Sequence, residues 1–140
     1  MSADSTVQIG PAGEANFPEF GSPDGCAVRA VLDLVADKWS LCVVALLGSG
    51  PLRFTKIKRS IDGISPRMLT VTLRALERDG ILTRTVYSVM PPNVTYSLTP
   101  MGRTLLTATA PLIAWSVEHL PALDRARHDY DHRHPVDPPR

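Results

Sequence analysis

The stretch from Ser65 to Gly80 carries its own start and stop signals, and this constrains the chain more than any other feature. Ser65 stands directly before Pro66. A serine hydroxyl at that place accepts a free N–H of the first helical turn, and a proline in the first helical position lacks an N–H that would have had no partner. At the other end Gly80 can adopt the left-handed conformation that closes a helix. Between them Leu69, Leu73 and Leu76 recur at helical spacing and fall on one face. Arg67, Val71, Arg74 and Arg78 fall on the opposite face, with Thr70 beside them. Such a helix must bury its leucines and hold a row of cations away from the core.

The neighbouring segments limit what that core can be. Asp62-Gly63 is a turn signal, and before it Phe54, Ile57 and Ile61 form the inward face of a short third helix with Lys56, Lys58 and Arg59 outside. Trp39–Leu47 is apolar on nearly every side, which predicts a central, buried second helix with Cys42 an inert core thiol; Gly48-Ser49-Gly50-Pro51 ends it. Asp37-Lys38 separates it from a first helix capped by Asp24 and striped by Val28, Val31, Leu32 and Val35. After Gly80 the period changes: Ile81–Val89 and Val94–Leu98 are rich in β-branched and aromatic residues and flank the turn Met90-Pro91-Pro92-Asn93. Thr99-Pro100 opens a last helix to about Leu120, with Met101, Leu105, Ala108, Leu112 and Trp115 near heptad spacing and a kink expected at Pro111. The expected fold is mainly α with a small β-hairpin wing, a winged helix-turn-helix.

Residues 1–22, rich in Gly, Pro, Ser and Ala, are expected to be a disordered N-terminal segment, 23–120 the folded domain and 121–140 a polar tail. The start has no basic or apolar leader, and no apolar run is long enough to span a bilayer, which predicts a cytoplasmic protein without membrane contact. Two cysteines, Cys26 and Cys42, are too few for a disulfide framework. No phosphate-binding glycine loop, metal motif or nucleophile elbow is present, so neither enzymatic activity nor a cofactor is expected. The histidines His119, His128, His132 and His134 lie in or near the tail. His128 and His132 would share a face if that segment were helical, but no further ligand joins them and a solvated tail is the expectation.

The net charge of +1 conceals an asymmetry, because residues 51–105 hold nine Lys or Arg against three Asp or Glu. A basic middle on a near-neutral chain points to a local polyanion surface. On the fourth helix, Arg can take guanine bidentately, and Thr70 and Val71 can touch a thymine methyl. Ser65, Arg67, Arg53 and Lys56 suit backbone phosphates. In the wing, Arg84 is the cation, with Tyr87 and Asn93 as further phosphate partners. The partners expected are therefore a double-stranded DNA operator and a second copy of the chain, the homodimer resting on Leu105, Leu112 and Trp115 of the last helix and on the first helix. The alternative is a winged-helix protein-interaction module that does not bind DNA.

The runs Asp37-Lys38-Trp39, Arg53-Phe54, Ile64 to Thr70, Leu73 to Gly80 and Pro91 to Gly102, with the late Trp115, resemble the HxlR-type regulators over residues 26–120. That resemblance implies a dimeric, MarR-like bacterial winged helix-turn-helix that represses or activates genes, often in response to electrophiles, oxidants or other small molecules. Members often carry a Cys-Pro pair before the first helix as redox sensor; here Cys26-Ala27 keeps the cysteine and loses the proline. Its place at a helix start, with Arg29 nearby, makes Cys26 the candidate sensor for an electrophile effector.

Overall fold

The computed structural model describes residues 21–135, so the expectations for residues 1–20 and 136–140 lie outside the described residues. The chain divides into two compact units at Leu41 and Cys42. In the first, α1 (Pro23–Ala36) is capped by Ser22, whose Oγ accepts from the Gly25 N–H at 3.1 Å. The cap expected at Asp24 is thus corrected by two residues: Pro23 takes the first helical position and Asp24 sits in the first turn, where a carboxylate meets the positive end of the helix. Asp37 ends α1 and starts α2 (Lys38–Leu47), its Oδ1 accepting from the N–H groups of Trp39 at 2.9 Å and Ser40 at 3.1 Å.

The second unit holds the rest of α2 and every later element. Only one side of α2 is buried, through Ser40, Val43, Val44 and Leu47. Cys42 is exposed, not the core thiol expected, because it and Ala45 lie on the other side of the helix. A two-residue strand follows that the sequence did not reveal, β1 (Leu52–Arg53), then α3 (Phe54–Ser60), α4 (Pro66–Arg78), β2 (Leu82–Ser88), β3 (Asn93–Leu98) and α5 (Pro100–Arg133). The strands form an antiparallel sheet in the order β1-β3-β2. Ile57, Ile61, Ile64, Leu69, Leu73, Leu76, Ile81, Leu82 and Leu98 complete the core. Each fully buried leucine contributes about 2–3 kcal/mol by leaving water.

The passage from α4 into the sheet is a Schellman turn. Gly80 has φ +73°, its N–H bonds to the Glu77 carbonyl at 3.0 Å, and the Ile81 N–H bonds to the Leu76 carbonyl at 2.9 Å. The Ile81 carbonyl then receives the Thr99 N–H at 3.0 Å, while the Thr99 hydroxyl donates to the Gly80 carbonyl at 2.6 Å. The same hydroxyl oxygen caps α5 by accepting from the Gly102 N–H at 3.0 Å. Gly102 is buried so close to this turn that a Cβ there would overlap the Ile81 carbonyl oxygen.

The last helix does not end near Leu120. It continues to Arg133 through Pro111 and Pro121, both exposed, so the carbonyls deprived of an N–H partner can turn to water. Residues 121–133 are polar and, apart from half-buried Leu123, exposed, yet helical. Ring pairs one turn apart line this stretch, His128 on His132 with centroids 5.8 Å apart and Tyr130 on His134 at 4.4 Å. Thermal unfolding checks the clamp below the wing. Thr99→Val should cost about 1–2 kcal/mol through loss of the cap, lowering Tm by roughly 4–8 °C per kcal/mol. Gly102→Ala should cost at least as much, because backbone rather than a flexible side chain must give way; an unchanged Tm for both would mean the clamp contributes nothing.

Candidate nucleic-acid interface

The helix-turn-helix is α3, the turn Ile61–Ser65 and α4. Ile61 and Ile64 are buried and pin the turn, and Gly63 supplies its positive φ of +82°. Ser65 accepts from the Met68 N–H at 3.0 Å, which sets the start of α4. With Leu69, Leu73 and Leu76 in the core, Arg67, Arg74 and Arg78 are exposed and Val71 keeps 54% of its surface in solvent. Thr70 is half-buried, and its hydroxyl donates to the Pro66 carbonyl at 2.9 Å. The Thr70 side chain therefore offers an acceptor lone pair and a methyl group outward, and no spare proton. Lys56 and Ser65 are exposed beside the start of α4.

The sheet gathers the other candidates. Arg53 lies in β1 opposite Thr95 of β3, and its guanidinium donates to Asn93 Oδ1 at 2.8 Å. Two residues read separately from the sequence are thus one unit: Asn93 holds Arg53 in place and leaves most of its donors outward. Tyr87 is the extra residue of a bulge, since Val86 pairs with Val94 and Ser88 with Asn93; it is 65% exposed on the wing. The wing tip beyond it, Val89 and Met90, is exposed and carries no charge.

Arg84 pairs across the sheet with Tyr96, while Leu82 pairs with Leu98, both buried. Residues two apart on a strand share a face. Arg84 and Tyr96 therefore project from the core-facing side of the sheet, toward α4. They meet Thr70, Leu73, Arg74 and Glu77 around a depression of about 410 Å³. Sequence reasoning missed Glu77 and Tyr96. The one signal for Glu77 was its place seven residues after Thr70 on the flank of the helix, and for Tyr96 its position opposite Arg84 once the register was known.

Lys56, Arg67, Arg74, Arg78 and Arg84 form no ion pair with any described residue. The first unit holds the exposed Cys26, whose N–H bonds to the Ser22 carbonyl at 2.9 Å. On α5, Leu105 is half-buried, while Leu112 and Trp115 keep 49% and 48% of their surface exposed; the Trp115 ring stacks on His119 at 4.5 Å. On α1, Val31 and Leu32 are exposed as well. Among the described residues no helix is long and apolar enough to cross a membrane, and no group of three or more His, Cys, Asp or Glu could hold a metal ion.

Comparison with known proteins agrees with this architecture. Residues 34–124 match the family of HxlR-like helix-turn-helix proteins. The chain is 42% identical over 96 residues to YtfH, an uncharacterized HTH-type transcriptional regulator of Escherichia coli strain K12, an alignment covering 69% of this chain and 76% of that one. The redox regulator HypR in its reduced form superposes with a TM-score of 0.66 at 37% identity, covering 71% of this chain and 98% of the other. The reduced form of the transcriptional regulator YodB from Bacillus subtilis gives a TM-score of 0.59 at 30% identity, covering 68% and 90%. The chain is a winged helix-turn-helix transcriptional regulator of the HxlR-like family.

Proposed function

We propose that α4 reads an operator in the major groove, with Arg67, Val71 and Arg78 toward the bases, while Lys56, Ser65 and the Arg53–Asn93 pair hold the sugar-phosphate backbone. One observation carries this reading: a helix anchored by three buried leucines presents arginines that find no counter-charge within the described chain. DNA supplies that counter-charge, and base edges supply the specificity. Arg74 borders both the groove-facing side of α4 and the depression beside the wing. Tyr87 reaches phosphate from the bulge.

Purified protein should select specific fragments from genomic DNA. Arg67→Ala should lose about 1–3 kcal/mol of discrimination at one base pair. Arg53→Ala should weaken all duplexes alike and lower the slope of log K against log salt by about 0.9. Wild-type binding that ignores both sequence and salt would count against DNA as the ligand.

The functional unit we propose is a homodimer, since one winged helix covers one half-site and two-fold symmetry supplies the other. The exposed Leu112 and Trp115 of α5 and Val31 and Leu32 of α1 support it, because each leaves apolar area in water that a second copy would cover. Sedimentation at micromolar concentration should give twice the 15.2 kDa chain mass, and Leu112→Asp with Trp115→Asp should give the monomer. A wild type that sediments only as a monomer would end the dimer reading.

Cys26 is proposed as the sensor of electrophiles or oxidants. Its exposure supports this, as do the redox-regulator descriptions of HypR and the quinone-bound form of YodB from Bacillus subtilis. Diamide or a quinone should change operator binding in the wild type and not in Cys26→Ser. Because Cys42 is also exposed, Cys42→Ser is the necessary companion and should respond as the wild type does. A Cys26→Ser protein that still responds would move the sensor elsewhere.

A further inference from the structure

The depression between α4 and the wing has a chemistry of its own. On a helical wheel at about 100° per residue, Thr70, Leu73, Arg74 and Glu77 occupy one continuous flank of α4, turned toward the sheet. Arg67, Arg78 and Val71 follow Arg74 about 20–60° further round the wheel and do not line the depression. Arg74 is therefore the one arginine of α4 that lines the depression, and Arg84 faces it from β2. Both guanidiniums are exposed, and neither is bonded to a described residue. Leu73 closes the floor and is buried. Of the two hydroxyls on the walls, that of Thr70 already donates to its own helix, while that of Tyr96 makes no hydrogen bond with a described residue. The walls thus present two planar cations and one O–H donor to the same space, with the Glu77 carboxylate as the only opposing charge among the described lining residues.

We propose that this notch seats one tetrahedral oxyanion, a phosphodiester of the DNA backbone, gripped from the helix by Arg74 and from the wing by Arg84 and Tyr96. The proposal rests on the operator-binding reading above and refines it. Arg74 becomes a positioning contact and not a base reader, and base discrimination is left to Arg67, Val71 and Arg78. A fork of N–H donors on each guanidinium matches phosphate oxygens, and paired clamps of this kind fix the register of a helix in its groove. Glu77 tempers the site: its negative charge weakens the grip on any anion, so a phosphate delivered by a well-seated duplex is favoured over free ions. Inorganic phosphate or sulfate shares the chemistry, and the test separates the two sources.

The experiment uses the full-length protein and a duplex recovered by selection with the wild type. Affinities for this operator and for an unrelated duplex are measured by fluorescence anisotropy across a range of salt. Arg74→Ala and Arg84→Ala should each weaken both duplexes by the same factor, roughly ten- to a hundredfold, and each should flatten the salt slope by about 0.9. Tyr96→Phe should weaken both by a few-fold, and Glu77→Gln should tighten both. Circular dichroism melting confirms that the variants remain folded.

A scan of single methylphosphonate linkages then locates the phosphate. One linkage should cost the wild type affinity and cost Arg84→Ala and Arg74→Ala nothing further, as expected for partners in a single contact. Inorganic phosphate or sulfate at millimolar concentration and constant ionic strength should leave operator affinity unchanged; specific competition by either would show a site built for a free ion and overturn the backbone assignment. The proposal also falls if Arg74→Ala lowers the ratio of operator to unrelated-duplex affinity, or if no linkage couples to Arg84. A wild type that binds no duplex defeats the operator reading itself, whereas a wild type that binds without this coupling defeats only the notch.

Discussion

The backbone at Gly80 and Ile81 joins three elements, and the second unit depends on it. The end of α4, the first residue before β2 and the cap of α5 share two carbonyls: that of Gly80 takes the Thr99 hydroxyl, and that of Ile81 takes the Thr99 N–H. Gly80 makes this possible by adopting positive φ, and Gly102 by having no side chain where α5 passes over the turn. Buried carbonyls without donors would each cost about 1–3 kcal/mol. Thr99 removes that cost with its hydroxyl at one carbonyl and its backbone N–H at the other. The distance between the α4 cations and the wing follows from this joint, because the sheet leaves α4 with no linker to flex.

That rigidity gives the exposed charges their meaning. Arginines on a loose surface lose conformational entropy when they bind, and much of the electrostatic gain is spent ordering them. Here Arg53 is held by Asn93, Arg84 is carried on a paired strand, and Arg67, Arg74 and Arg78 stand on a helix with three leucines in the core. A surface of this kind is organised before its partner arrives. It also accounts for the absence of ion pairs between these residues and the other described residues: cations neutralised within the fold would have little left to offer a polyanion.

Much of this was legible in the residues. Ser65-Pro66 and Gly80 marked both ends of α4, the leucine spacing identified its buried face, and the β-branched run after Gly80 revealed the wing. Other features were not legible. Strand β1 is two residues long and has no period to detect; it exists because β3 offers it a partner. Cys42 lies in an apolar run, and composition could not show that the buried side of the helix is Ser40, Val43, Val44 and Leu47. The extent of α5 was hidden by Pro121, which reads as a helix terminator although an exposed helix can carry it where water satisfies the orphaned carbonyl.

What the sequence determined by itself is local and periodic: which segments are helical or extended, where they begin and end, which face of each is apolar, and that the middle of the chain is basic. These follow from caps, turn residues and spacing, which act within a few residues of one another. Only the tertiary structure decided which side chains from distant segments meet. Arg53 and Asn93 are forty positions apart and share a hydrogen bond, and Arg74, Glu77, Arg84 and Tyr96 surround one notch. Those meetings depend on strand register, and shifting the register by one residue would send Arg84 and Tyr96 to the opposite face of the sheet. Register is set by the burial of Leu82 and Leu98 and by the joint at Thr99, which are properties of the assembled core and not of any short stretch of chain.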